Sequence, residues 1–211
     1  MSIAREGWPH ILIPLLLGAL VALRLPWLGL ILIVLGAFSA FFFRDPERAI
    51  PSDAGLIVSP ADGRVVQVVP APADHPLGAG TTQVSIFLSI FNVHINRAPM
   101  AGRVSDVRYN KGAFLPAFDD KASLSNEQNA VTLEDGGARV VFTQIAGLIA
   151  RRIVFWKKPG ESVQRGERVG LIKFGSRVDL FLPAGTEIRV KVGDHVAGGA
   201  SVIGSLAGTA R

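Results

Sequence analysis

The pattern of apolar and polar positions divides the chain near residue 44. Trp8 to Leu23 is apolar apart from His10, and Trp27 to Phe43 is apolar apart from Ser39. Arg24-Leu25-Pro26 separates the two runs, and this pairing of arginine with proline marks a turn that reaches water. A helical hairpin is predicted. Its arms of 16 and 17 residues stand at the lower edge of what crosses a hydrocarbon core of ~30 Å. Spanning the bilayer and lying in one leaflet both stay open, and both attach the chain to a membrane. Arg5 and Arg44 flank the hairpin and favour cytoplasmic placement of both ends. A cleaved leader is the competing reading, but no small-residue cleavage site follows and a second apolar run comes at once.

Beyond residue 44 the texture changes to short β-rich runs between glycines and prolines. Residues 55–58, 64–69, 83–90, 139–142 and 187–192 read as strands. Residues 107–137 read as a long polar loop, of the kind that serves as a lid. A weak repeat of the form G-(D/E)-x-V-x-x-G occurs at Gly160–Gly166 and Gly193–Gly199, with glycines placed for tight hairpins. The spacing resembles lipoyl- and biotinyl-carrier hairpins, although neither copy holds a lysine between its glycines. The fold class expected is mainly β: a compact β-sandwich or barrel resembling a barrel-sandwich hybrid, with the helical hairpin at its N-terminus. Residues 1–43 form the anchor and 44–211 the working domain.

Composition narrows the chemistry. There are no cysteines, which excludes disulfides, thiolate nucleophiles and zinc–thiolate sites. The four histidines, His10, His75, His94 and His195, are scattered without metal-ligand spacing, so no metal is expected. A net charge of +5 favours anionic partners such as nucleic acid or acidic lipid.

Three short stretches stand out. Asp62 lies in the turn Ser59-Pro60-Ala61-Asp62-Gly63, His94 ends a long apolar run, and Gly175-Ser176 falls between two strands. Taken singly, each is ordinary: a D-G turn, a core histidine and a bulge. Together they hold the parts that activate a hydroxyl: nucleophile, base and orienting acid. Glycine before the serine leaves its carbonyl open to attack and tolerates strain. A membrane adaptor with carrier-like hairpins and a membrane serine peptidase also fit these residues.

The motifs F-F-R-D-P-x-R at Phe42–Arg48, S-P-A-D-G at Ser59–Gly63, H-I-N-R-A-P at His94–Pro99 and K-F-G-S-R-V-D at Lys173–Asp179 resemble the short, bacterial and archaeal form of phosphatidylserine decarboxylase. Asn126-Glu127 resembles that family's N-E segment. The resemblance implies a proenzyme that cuts itself between Gly175 and Ser176, with His94 as base and Asp62 orienting it. It implies chains 1–175 (β) and 176–211 (α), paired as a heterodimer, with a higher oligomer left open. The covalent cofactor implied is a pyruvoyl group made from Ser176, with no pyridoxal phosphate and no metal. The implied substrate is membrane phosphatidylserine, decarboxylated through a Schiff base, at the cytoplasmic face of the bacterial inner membrane. No nucleic-acid partner is implied. Arg97, Arg151, Arg152 and Arg177 are candidates for holding the substrate's carboxylate or phosphate. The chain departs from the longer branch of the family in two places. Arg177 follows the serine where that branch has threonine, and Phe91 stands where it carries a second histidine.

Overall fold

The computed structural model describes residues 2–112, 126–147, 152–173 and 175–206. They form two compact units, Met1–Glu47 and Arg48–Arg211. In the first, strand β1 (Ser2–Ile3) pairs antiparallel with β2 (Arg44–Asp45). Between them run helices α1 (Trp8–Ala22) and α2 (Pro26–Phe42). Glycines let the helices meet: a Cβ on Gly18 would lie 2.9 Å from the Gly29 carbonyl, and one on Gly29 would overlap Ala22. The outer faces expose Leu16, Leu20, Trp27, Leu30 and Val34. No helix of the described residues is long and apolar enough to cross a membrane. At 1.5 Å per residue the arms reach only about 22 and 25 Å.

The second unit is a β structure. Its strands in chain order are β3 (Leu56–Val58), β4 (Gly63–Pro70), β5 (Thr82–Leu88), β6 (Ile95–Arg97), β7 (Gly102–Asn110), β8 (Gln128–Asp135) and β9 (Ala138–Ala146). Then come β10 (Ile153–Phe155), β11 (Ser162–Val163), β12 (Arg168–Ile172), β13 (Ser176–Leu182), β14 (Glu187–Ile188), β15 (His195–Val196) and β16 (Val202–Ser205). One sheet has eight strands, β11-β7-β8-β9-β13-β5-β4-β15, and curves into a half-barrel. Two three-stranded sheets, β10-β12-β6 and β14-β16-β3, complete the unit. The apolar faces of these strands, with Val65, Ile86, Leu133, Phe142, Val178 and Leu180, bury one core. The expected mainly β architecture behind an N-terminal helical pair is therefore present.

The polar stretch at 107–137 is not one loop. β7 runs to Asn110 and β8 starts at Gln128. Asn129, Val131 and Leu133 alternate inward while their polar neighbours face out. Few apolar residues suffice because only every second one is buried. Residues 113–125 lie outside the described residues.

The two halves of this unit repeat each other about an approximate two-fold. β11 and β15, the two copies of the glycine repeat, close opposite edges of the large sheet: Val163 pairs with Gly102, and Val196 with Gly63. The edges they meet share P-x-x-G-R-V, at Pro60–Val65 and Pro99–Val104. Arg64 Nε donates to the Gly193 carbonyl and Arg103 Nε to the Gly160 carbonyl. The Val58 amide donates to Pro99, and the Arg97 amide to Pro60. β9 and β13 meet at the centre.

Candidate active site

Ser176 opens β13 in the middle of the eight-stranded sheet. It pairs with Leu88 of β5 on one side and Ala146 of β9 on the other. Strand alternation turns it to the same face as Val178 and Leu180, toward the core. It has no exposed surface, and among the described residues its Oγ has no hydrogen-bond partner. A buried hydroxyl left in this state costs about 1–3 kcal/mol. The residue before it, Gly175, has φ +62°, a conformation that suits glycine. Among the described residues nothing lies within 4 Å of where a Cβ would stand, so they leave that side of Gly175 open. The Gly175 oxygen accepts a hydrogen bond from the Gly147 amide at 3.2 Å.

His94 is set by a tight turn. Asn92 Oδ1 accepts from the Ser89 amide at 2.9 Å and the Ser89 hydroxyl at 2.8 Å, which fixes the turn. His94 Nδ1 lies 3.0 Å from the Asn92 carbonyl. A carbonyl only accepts, so Nδ1 carries the proton and Nε2 is the basic nitrogen of the neutral ring. The His94 carbonyl accepts from the Ile172 amide at 3.3 Å, which extends the β12–β6 register by one pair. Ser176 lies four residues beyond Ile172. Asn96, two residues along the same strand face, accepts from Gln144 Nε2 at 2.9 Å. Gln144 is the cross-strand partner of Val178. The β6 face that bears Asn96 therefore covers the β9–β13 ladder next to Ser176.

Asp62 sits on a turn that Ser59 stabilises, its Oγ donating to the Ala61 carbonyl at 2.6 Å. Asp62 Oδ1 accepts from the Gly198 amide at 2.7 Å, and Oδ2 pairs with Arg48 at 2.6 Å. The Arg97 amide donates to Pro60 at 2.9 Å and pins this turn to the strand that His94 leads into. Arg48 was not among the expected site residues. Its signal was its place in the F-F-R-D-P-x-R motif.

The family model for phosphatidylserine decarboxylase matches residues 35–204. A phosphatidylserine decarboxylase proenzyme of Symbiobacterium thermophilum is 50% identical, over 97% of this chain and 95% of that protein. Proteins with the same name from Syntrophotalea carbinolica and Geobacter metallireducens are 48% and 43% identical, each over 97% of this chain and 96% of the relative. The chain belongs to the phosphatidylserine decarboxylase family. It is accordingly a decarboxylase.

The candidate arginines of this decarboxylase fall in different settings. Arg177 is buried on the face of β13 opposite Ser176. Its Nε pairs with Asp179, and one terminal nitrogen donates to Gln67 at 2.6 Å and Ser85 at 2.8 Å. Arg97 is also buried and donates to the Gly166 carbonyl at 2.9 Å. Arg152 is exposed, and its carbonyl accepts from the Lys173 amide, two residues before Gly175. Arg151 lies outside the described residues.

The Asn126-Glu127 pair is buried beside Ala146, the cross-strand partner of Ser176. Asn126 Nδ2 donates to the Ala146 carbonyl at 2.8 Å, and the Ala146 amide donates to the Glu127 carbonyl at 2.9 Å. The Tyr109 hydroxyl donates to Glu127 Oε1 at 2.8 Å. That bond, aided by burial, raises the Tyr109 pKa above its ordinary value.

A groove of about 1710 Å³ lies at the opposite end of the β13 ladder, beside Gly55, Ala101, Gly137, Arg165 and Pro183. The approximate two-fold explains its position. It relates Ala101 to Asp62 and Gly55 to His94, so neither the carboxylate nor the imidazole stands at the corresponding positions of this end.

Proposed function

We propose that this enzyme decarboxylates phosphatidylserine to phosphatidylethanolamine with a pyruvoyl group that it makes from Ser176 by cutting itself at Gly175–Ser176. The observation that carries this reading is the buried, unpartnered Ser176 hydroxyl next to a positive-φ glycine, in a chain of this family.

His94 Nε2 takes the Ser176 proton while the Asn92 carbonyl holds the ring in that tautomer. The freed oxygen attacks the Gly175 carbon, the peptide C–N bond breaks, and an ester joins the two segments. β-Elimination releases the Gly175 carboxylate and leaves dehydroalanine at 176. Water then gives the pyruvoyl group and ammonia. Asp62 serves as a positioning residue: its carboxylate ties Arg48 and Gly198 to the turn that Arg97 fastens to the His94 strand. The buried unpartnered oxygen of Ser176 fits this conversion, since no hydrogen bond to the surrounding framework has to break before it attacks.

A pyruvoyl carbonyl condenses with a primary amine and accepts the electron pair released with CO₂. His94 is the group we assign to hold and return the proton. Arg152, exposed beside Lys173, is the arginine best set to meet a carboxylate or phosphate, with Arg151 next to it in sequence. Arg97 and Arg177 are assigned to the framework, because their guanidinium groups are engaged inside it.

Residues 1–43 anchor the enzyme and 44–211 carry the chemistry. The short arms of α1 and α2, with their apolar outer faces, favour insertion into one leaflet over spanning. The arginine flanks favour the cytoplasmic face of the bacterial inner membrane. A diacyl lipid hardly leaves the bilayer, so an anchored enzyme meets its substrate at the interface.

Intact mass and a lipid assay test the reading. Active enzyme should contain fragments 1–175 and 176–211, the smaller beginning in a ketone. A single uncut chain of 22.4 kDa from active enzyme refutes it. A cut that leaves a free Ser176 amine points to a peptidase instead.

A further inference from the structure

The carbonyl to be cut is held by one peptide unit, and the other end of that unit is held by Asn126. The Gly147 amide donates to the Gly175 oxygen at 3.2 Å. The carbonyl of the same peptide unit, on Ala146, accepts from Asn126 Nδ2 at 2.8 Å. Asn126 is 1% exposed and Ala146 fully buried. The Ala146 amide is fixed in turn by the Glu127 carbonyl at 2.9 Å. Residues 126 and 127 thus clamp Ala146 at both of its polar groups.

The arrangement has an electronic consequence. A hydrogen bond to an amide oxygen draws charge from the amide nitrogen, which makes its N–H a stronger donor. When Ser176 Oγ adds to the Gly175 carbon, the carbonyl π pair moves onto oxygen. A donor already aimed at that oxygen stabilises the charge without having to reorganise. Collapse re-forms the carbonyl, breaks the C–N bond and sends the proton from His94 to the departing nitrogen.

We propose that the Gly147 amide is the oxyanion donor for self-cleavage, and that Asn126 is the positioning residue that aims and polarises it. This rests on the self-cleavage reading above. A plain β rung would account for the Gly147–Gly175 bond, which extends the Ser176–Ala146 register by one pair. It would not call for a buried carboxamide on the far side of the same peptide.

The test follows cutting of freshly translated full-length chain over time on a denaturing gel, with brief protease digestion to confirm folding. Asn126→Ala should cut about tenfold more slowly than wild type, a fraction of the loss seen when an oxyanion donor is removed directly. Asn126→Asp, nearly the same shape but without the donor, should be slowed as well, and serves if the alanine variant does not fold. Hydroxylamine, which cleaves esters, should not restore the rate in either variant, because the ester is formed slowly. Folded variants that cut at the wild-type rate overturn the assignment of Asn126. Restoration by hydroxylamine overturns it too, by placing the defect after the ester. If wild type itself stays uncut, the self-cleavage reading falls and this assignment falls with it.

Discussion

Arg177 and Asp179 stand two residues apart on one face of β13 and form an ion pair at 2.6 Å, each side chain 2% exposed. Gln83 Nε2 donates to the second Asp179 oxygen at 3.0 Å. A buried pair of this kind is most costly when half of it is removed. Asp179→Ala should lower stability by about 3–5 kcal/mol and leave little folded, processed protein. Changing both residues to apolar side chains of similar size should recover most of that loss. Chemical denaturation of the two variants and their parent, all in an uncleavable background, checks the order.

Ser176→Ala should remain a single chain with no decarboxylase activity. It should also melt slightly higher than the uncut wild-type chain, since it removes a buried hydroxyl without a partner, worth about 1 kcal/mol. Intact mass and a melting curve read the two effects separately.

His94→Ala should block cutting, and added imidazole should restore part of it by filling the cavity with a free base. Normal processing of His94→Ala on a gel time course would remove His94 from the role of base.

His75 provides a pH signature at the other end of β13. Its ring stacks on Phe181 with centroids 4.3 Å apart, and its Nδ1 accepts from the Leu77 amide. Burial lowers its pKa against an opposing pull from Asp74. The folded chain therefore holds this proton less tightly than the unfolded chain. The stability so gained is complete above about pH 6.5 and is lost as pH falls through the lowered value. Melting of the Ser176→Ala chain between pH 8 and pH 5 should show the decline, and His75→Phe should flatten it.

Sequence carried the local features well and the distant pairings poorly. Apolar runs and glycine-bounded strands are near-neighbour patterns, so the helical pair and β3, β4 and β5 were legible to within a residue or two. β8 was missed because its inward positions include Asn129, whose amide is satisfied by Gln144 at 2.9 Å instead of by burial among apolar groups. Arg177 read as a candidate for the substrate's carboxylate or phosphate because two of the partners that engage it, Gln67 and Ser85, lie on other strands. The P-x-x-G-R-V recurrence was present all along, but its meaning appears only when Gly63 and Gly102 are seen to meet the two glycine repeats. Of the site, Ser176, His94 and Asp62 were visible as motif residues. The Gly147 amide has no side-chain signature, and Arg48 showed itself only by its motif.

The position of β13 has a further consequence for the lifetime of the enzyme. The proposed cut falls at the start of this strand, which is paired along its length with β5 and for most of it with β9, while β15 and β16 of the same fragment lie beside β4 and β3. The small fragment is woven through the large one and needs no covalent link to stay. Once cut, however, the molecule can no longer repeat the folding of a continuous chain. Its working life is then governed by how slowly it unfolds rather than by a reversible equilibrium. Each enzyme has one opportunity to assemble, and a heated sample that loses activity should not regain it on cooling, whereas Ser176→Ala should regain its fold.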